Sequence, residues 1–233
     1  MKRIIKSNPP IELKQWFHAQ PTDKNEKLNC RYHNLPSDIR SIVKQSLLED
    51  QGYLCCYTGI RISEARSHIE HLKPQSIYFE NYEDVDYNNL LAAHPGPNLG
   101  QCAYGAHPKA DWYHEEHFIS PLSPQCETAF KFSSNGEIQP TPDNTAAQTT
   151  IDRLNLTDPS LTEMRKQAIE AFLFESEISL KKAENLLEKI YDRNQKGQLR
   201  PFCIVLKQAC EDYIKRKKQT QTRNKAIQSR SKT

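Results

Sequence analysis

The 233-residue chain has 26% charged and 36% hydrophobic residues and a formal charge of only +3, with a mean hydropathy of -0.79. That balance leaves enough apolar residues for a core and excludes a disordered chain. No apolar run approaches the ~20 residues that span a bilayer, so a membrane-embedded function is excluded as well.

The start, Met1-Lys2-Arg3-Ile4-Ile5-Lys6, is basic but reaches Pro9-Pro10 without an apolar stretch. It does not read as a secretory signal, and a cytoplasmic protein is expected. Ser37-Asp38 opens a helix after Pro36, with Ile39, Ile42, Val43 and Leu47 along one face and Gly52 as its stop. Tyr53 to Tyr57 reads as a strand, Thr58-Gly59 as a turn, and His68 to Leu72 as a second strand ended by Lys73-Pro74. From Asn81 to Gly105 the chain is rich in Asn, Asp, Pro and Gly and reads as loop, interrupted by the apolar piece Leu90-Leu91-Ala92-Ala93.

A hairpin is predicted at Phe130-Lys131-Phe132 and Glu137-Ile138 around Asn135-Gly136. Beyond it the spacing predicts helices near 144–154, from Pro159 to about Arg193, and from Pro201 through Ile214. From Lys215 onward the chain carries Lys215, Arg216, Lys217, Lys218, Arg223, Lys225, Arg230 and Lys232 and no acid, a composition that can neutralise phosphates. The fold class is therefore α+β. An arm and helix at 1–50, offering a surface to a partner, precede a mixed core at 51–140; a helical region at 141–218 and a flexible basic tail at 219–233 follow.

Seven cysteines at irregular spacing do not form a disulfide framework. Cys30, Cys126, Cys203 and Cys210 read as buried thiols, whereas Cys55, Cys56 and Cys102 flank the histidines of the mixed core. There the sequence places Glu70-His71, then Asn89, then His107. Water attacks a phosphodiester slowly because it is a poor nucleophile and because charge builds on the phosphate. An imidazole base answers the first problem and a divalent ion the second. Adjacent Glu and His on a strand point to opposite faces, so one can hold an ion while the other meets the water. His114-Glu115-Glu116-His117 lacks the i, i+4 histidine pair of a zinc protease, and that activity is rejected.

Ile69-Glu70-His71-Leu72-Lys73-Pro74, Asn88-Asn89-Leu90-Leu91 and Cys102-Ala103-Tyr104-Gly105-Ala106-His107-Pro108-Lys109 resemble, in that order, the three elements of the HNH nucleases. The resemblance implies a ββα-metal core with short hairpins at 51–140. By it His71 is the general base and Asn89 orients the loop that carries the base or joins the metal shell. Glu70 and His107 are metal ligands, and Lys109 lies near the phosphate. His68 shares the Glu70 face of the strand and competes for the ligand role; His94 is a further candidate ligand. Carboxylate, imidazole and amide donors suit Mg²⁺ or Mn²⁺. A structural Zn²⁺ is not expected. Thr58 and Gly105 stand where each Cys-x-x-Cys pair needs its second member, and Cys56, His94 and Cys102 fall one short of a closed site.

Met1-Lys2-Arg3-Ile4 with Pro9-Pro10, Ser120-Pro121-Leu122 before Cys126-Glu127, and Asp152-Arg153-Leu154-Asn155-Leu156 with Leu161 and Arg165 extend the likeness to about residue 175. Together they resemble the HNH proteins of retron and Septu (PtuB-like) anti-phage systems. That resemblance implies a toxic effector nuclease restrained by an ABC/SMC-type (PtuA-like) ATPase, joined in retrons by a reverse transcriptase and its multicopy single-stranded DNA. The substrate would be DNA or a structured RNA such as tRNA. The alternative is a catalytically silent adaptor that keeps the HNH scaffold for nucleic-acid binding. A free-standing nuclease fits the small net charge less well, because it must find its substrate with its own basic surface.

Overall fold

A computed structural model describes residues 1–20, 30–77, 82–173 and 178–230. Helix α1 (Ile11–His18) and helix α2 (Ser37–Asp50) lead into the mixed region. Val43, Leu47 and Leu48 form the buried stripe of α2, whose carboxyl end runs into Gly52 and Tyr53, both at left-handed φ (57° and 60°).

This reversal is why Tyr53–Tyr57 is not the strand its composition predicts. Strand backbone needs extended φ; here Cys55 N–H donates to Ile60 O (2.9 Å) and Gly59 N–H to Cys55 O (3.0 Å), closing a tight knuckle. Only Leu54 retains a β-bridge, to Arg61.

Strand β1 (His68–His71) forms as predicted. Its partner is the apolar piece inside the predicted loop, strand β2 (Leu90–Ala93), which pairs antiparallel in the register His68↔Ala93, Glu70↔Leu91, His71↔Leu90. All four β2 residues are fully buried, with α2 packed against the strand. The Gln51 side chain completes the far edge of β2. Its Oε1 accepts from Ala92 N–H (2.7 Å) and its Nε2 donates to Ala92 O and Leu54 O (2.8 Å each), work that a third strand would otherwise do.

A one-turn helix α3 (Ala106–Lys109) follows, then the second hairpin, β3 (Phe130–Phe132) with β4 (Ile138–Pro140). Helix α4 (Thr145–Arg153) is capped by Asn144, whose side chain accepts from Ala147 N–H.

The long helix expected from Pro159 to Arg193 is two helices, α5 (Pro159–Leu173) and α6 (Leu180–Glu188). Ser179 caps the second through Lys182 N–H, a start signal inside an otherwise continuous helical pattern. Helix α7 (Cys203–Arg230) extends well past Ile214 and takes in residues 219–230 of the basic tail; residues 231–233 lie outside the described residues, as does Asn81. Lys, Arg and Gln are good helix formers, and no Gly or Pro follows Pro201 to stop the helix.

Leu161, Ile169 and Leu173 of α5 and Cys203 to Leu206, Ala209, Cys210 and Ile214 of α7 are buried where α5 and α6 pack on α7. The segment before α7 returns to the knuckle, where Leu199 N–H donates to Gly52 O (3.0 Å) and Phe202 N–H to Gly59 O (2.9 Å). Among the described residues no helix is long and apolar enough to cross a membrane.

Candidate active site

Extended backbone sends alternate side chains to opposite faces, so β1 turns His68 and Glu70 one way and His71 the other. His71 is buried, with Nε2 2.9 Å from the Asp84 carbonyl oxygen. A carbonyl can only accept, so the ring proton sits on Nε2 and Nδ1 carries the lone pair. The edge-on ring of Tyr32, 4.7 Å away at 90°, packs the imidazole. Burial lowers the His71 pKa from its usual value and outweighs the opposing pull of the Asp84 carbonyl and Glu70. Asp84 is itself held, since its Oδ2 accepts from Arg31 Nε (2.9 Å) and Tyr32 N–H (3.0 Å).

Asn89 closes the loop between β1 and β2. Its Oδ1 accepts from Lys73 N–H (2.7 Å), and its Nδ2 donates to Lys73 O (3.0 Å) and Glu83 O (2.8 Å). Asp84, which orients His71, is the next residue along, so the amide fixes the carbonyl that fixes the imidazole.

Glu70 is engaged unevenly. Its Oε1 accepts from Tyr57 O–H (3.0 Å) and from the Lys109 ammonium (3.0 Å), while its Oε2 faces His68 Nε2 at 3.5 Å. His68 Nδ1–H donates to Pro95 O (2.6 Å), so the neutral ring has its lone pair on Nε2. Two acceptors then face each other across a gap, an arrangement that calls for a proton or a cation between them. Burial alone would raise the Glu70 pKa, but His68 and Lys109 hold it below the usual value. Burial works against protonated His68, yet Glu70 and the Pro95 carbonyl raise its pKa overall.

The remaining candidates lie around this pair. His107 lies on α3, its ring stacked on His68 with centroids 6.3 Å apart. Its Nδ1 accepts from Cys102 N–H (2.8 Å), which leaves the neutral ring's proton on Nε2, whereas an ion would need a lone pair there. The loop carrying it is tied to the end of α4, by Gly105 N–H to Leu154 O (2.8 Å) and by Asn155 Nδ2 to Ala103 O (2.8 Å).

Lys109, expected near the phosphate, is 1% exposed and points inward. Besides Glu70 it reaches His71 O at 3.1 Å, because a buried ammonium must find acceptors. His94 joins a different cluster. Its N–H donates to Cys55 Sγ (3.4 Å) and its ring stacks on Tyr104 with centroids 6.4 Å apart. Burial would push the Cys55 thiol up, but hydrogen bonds from Cys56, His94 N–H and Thr58 bring it down to about 5.

Sequence reasoning passed over Tyr57, Asp84, Arg31 and Tyr32. Asp84 acts through its backbone oxygen, which leaves no mark on residue type. Tyr57 could have been found from its place in the knuckle beside Cys55 and Cys56.

Among the described residues no three His, Cys, Asp or Glu side chains form a group that could hold a metal ion. What does meet is one carboxylate oxygen and one imidazole lone pair. Such a pair suits a hard divalent ion that keeps most of its water and takes its other ligands from a phosphate.

No protein-family model matches the chain. A protein of Vibrio cholerae serotype O1 biovar El Tor named "Retron Vc95 putative HNH endonuclease" is 30% identical over 179 residues, which cover 72% of this chain and 82% of that relative. Similarity across most of both chains, together with a histidine, an asparagine and an acidic residue gathered on one short hairpin, identifies this chain as a member of the retron HNH endonuclease family.

Proposed function

We propose that the chain is a metal-dependent HNH nuclease that hydrolyses phosphodiester bonds of DNA or a structured RNA such as tRNA. In this reading it is the toxic effector of an anti-phage complex of retron or Septu type. It works in the cytoplasm beside a PtuA-like ABC/SMC-type ATPase and, in a retron, beside a reverse transcriptase and its multicopy single-stranded DNA.

The observation that carries the reading is the tautomer of His71. With Nε2–H committed to Asp84 O, Nδ1 is the basic atom, and burial favours the neutral ring. His71 Nδ1 takes the proton from the attacking water. Asn89 acts at one remove, holding the loop whose carbonyl sets the ring. Glu70 Oε2 and His68 Nε2 hold a divalent ion, Mg²⁺ or Mn²⁺, which when bound offsets the charge that develops on the phosphate. His107 offers Nε2–H to a phosphate oxygen. The exposed Lys215, Arg216 and Lys218 of α7 add sequence-independent phosphate attraction.

The test is cleavage of labelled DNA and of total RNA by the wild type and by His71→Ala. Each is assayed with Mg²⁺, Mn²⁺ or EDTA, with and without the neighbouring gene products. Metal-dependent cutting that falls by ~10²- to 10⁴-fold in His71→Ala is expected. Equal cutting by the two proteins removes His71 from the mechanism. Absence of cutting by the assembled complex favours the silent adaptor.

A further inference from the structure

The Lys109 ammonium lies inside the candidate ion site. It is 1% exposed, 3.0 Å from Glu70 Oε1 and 3.1 Å from His71 O, and Tyr57 O–H shares the same carboxylate oxygen at 3.0 Å. A surface lysine could swing away from an arriving ion. This one has its stem packed in the core. Leaving would strand a charged group without partners, so its position is fixed.

Glu70 contributes one negative charge and Lys109 one positive, and an imidazole that gives its lone pair to an ion contributes none, so the donors around a bound ion sum to zero. Most hard-ion sites place one or more unneutralised carboxylates around the cation. Here a divalent ion approaching Oε2 meets a carboxylate already paired on its other oxygen. The low polarisability of a buried site makes the nearby ammonium felt strongly. The charge that is missing can come from a phosphodiester, which brings a negative oxygen to the open coordination positions.

We propose that Lys109 acts as a built-in counter-ion that keeps the site nearly empty of divalent metal until nucleic acid arrives, so that ion and substrate bind cooperatively. The inference rests on the assignment of Glu70 and His68 as the ion-holding pair. Lys109 is thus a positioning residue for Glu70 and a brake on metal loading. By linkage, whatever factor the nucleic acid contributes to ion affinity, the ion contributes to nucleic-acid affinity.

The experiment measures Mn²⁺ binding to the full chain by electron paramagnetic resonance. A His71→Ala background prevents cleavage, and binding is read with and without a DNA duplex or tRNA, the ions bound by nucleic acid alone being subtracted. The expected result is weak binding by the protein alone and binding at least about tenfold tighter with one of the nucleic acids. Adding Lys109→Met should tighten binding to the protein alone by about tenfold and shrink the difference. Equal affinity with and without both nucleic acids overturns the proposal with no core substitution needed. So does unchanged or weaker binding in a Lys109→Met protein that keeps its circular dichroism and melting temperature. Glu70→Gln separates the ion site from the counter-ion role of Lys109. If Mn²⁺ binding in the presence of nucleic acid survives that change, the ion-site assignment fails. If it is lost while Lys109→Met has no effect, only the counter-ion role fails.

Discussion

The region from Gln51 to Lys109 and the helices from α4 onward are held together by different chemistry. In the first, the strands are four residues long and the backbone is pinned by side chains: Gln51 to Ala92, Asn89 to Lys73 and Glu83, Arg61 to Gly52 and Tyr53. Seven of the nine buried polar or charged residues described, Gln51, Thr58, Ser67, His71, Asp84, Asn89 and Lys109, fall in this stretch. In the second, α5 and α6 pack on α7, and Leu161, Ile169, Leu173, Ala183, Leu206 and Cys210 of these helices are all but fully buried. Hydrogen bonds are directional and short-ranged, so they fix angles; apolar packing is non-directional and supplies bulk stability. A site that must hold an imidazole tautomer and a carboxylate in register needs the first kind. A scaffold that carries it needs the second.

If that division is right, truncating a core leucine of the helices should cost stability and leave the chemistry alone. Leu206→Ala removes a side chain 2% exposed in the first turn of α7 and is expected to destabilise by about 2–5 kcal/mol in urea denaturation. Below the shifted melting temperature, catalytic turnover should stay within about twofold of wild type. A turnover loss as large as that of His71→Ala would mean the helices tune the site directly, through the α4 link to the His107 loop.

Much of this contrast was legible in the sequence, and the failures fall where side chains direct the backbone. The existence of α2, the Pro159 start of α5 and the Asn-Gly hairpin depend on local pattern and came out as read, although Ile42, expected on the inner face of α2, is exposed. Glu70, His71 and Asn89 could be picked out as a set from their residue types, and the β1–β2 hairpin brings them together. Leu90–Ala93 was visible only as an apolar run. Its pairing with β1 depends on Gln51 and α2, which are far away in sequence. The Tyr53–Tyr57 strand failed because left-handed Gly52 and Tyr53 turn the chain before propensity can act. The contacts of Lys109 with Glu70 and of His107 with the Cys102 amide are tertiary and leave no mark on the sequence.

Asn89→Ala probes the polar side of the comparison. It removes three hydrogen bonds to the part-buried backbone of Lys73 and Glu83. A loss of about 1–3 kcal/mol in stability is expected. Because the loop carries the Asp84 carbonyl, turnover should fall by more than the stability loss explains, with substrate affinity little changed. Two-dimensional NMR of the His71 ring would show the Nε2–H tautomer giving way to a mixture. An unchanged tautomer with reduced turnover would instead place Asn89 against the substrate or its ion.

Lys6 gives the finest test, because it puts a charge into the polar region where burial opposes it. Its ammonium donates to Leu90 O (2.9 Å), lies 3.7 Å from the centre of the Tyr87 ring and is 3.9 Å from Asp50 Oδ2. Burial lowers its pKa from 10.5 to about 7, only partly opposed by Asp50. The unfolded chain therefore binds one more proton than the folded one between those two values. Stability attributable to Lys6 should rise with pH through that window, and the full penalty should be present below about pH 7. Lys6→Met removes the titration. Its stability advantage over wild type should shrink by about 1 kcal/mol per pH unit between roughly pH 7 and 9 in parallel urea titrations. Curves that stay a constant distance apart would show that the amine keeps its proton in the fold. The polar region would then tolerate charge as well as direction, and Lys6 would join Lys109 as a cation that β1 and β2 were built around.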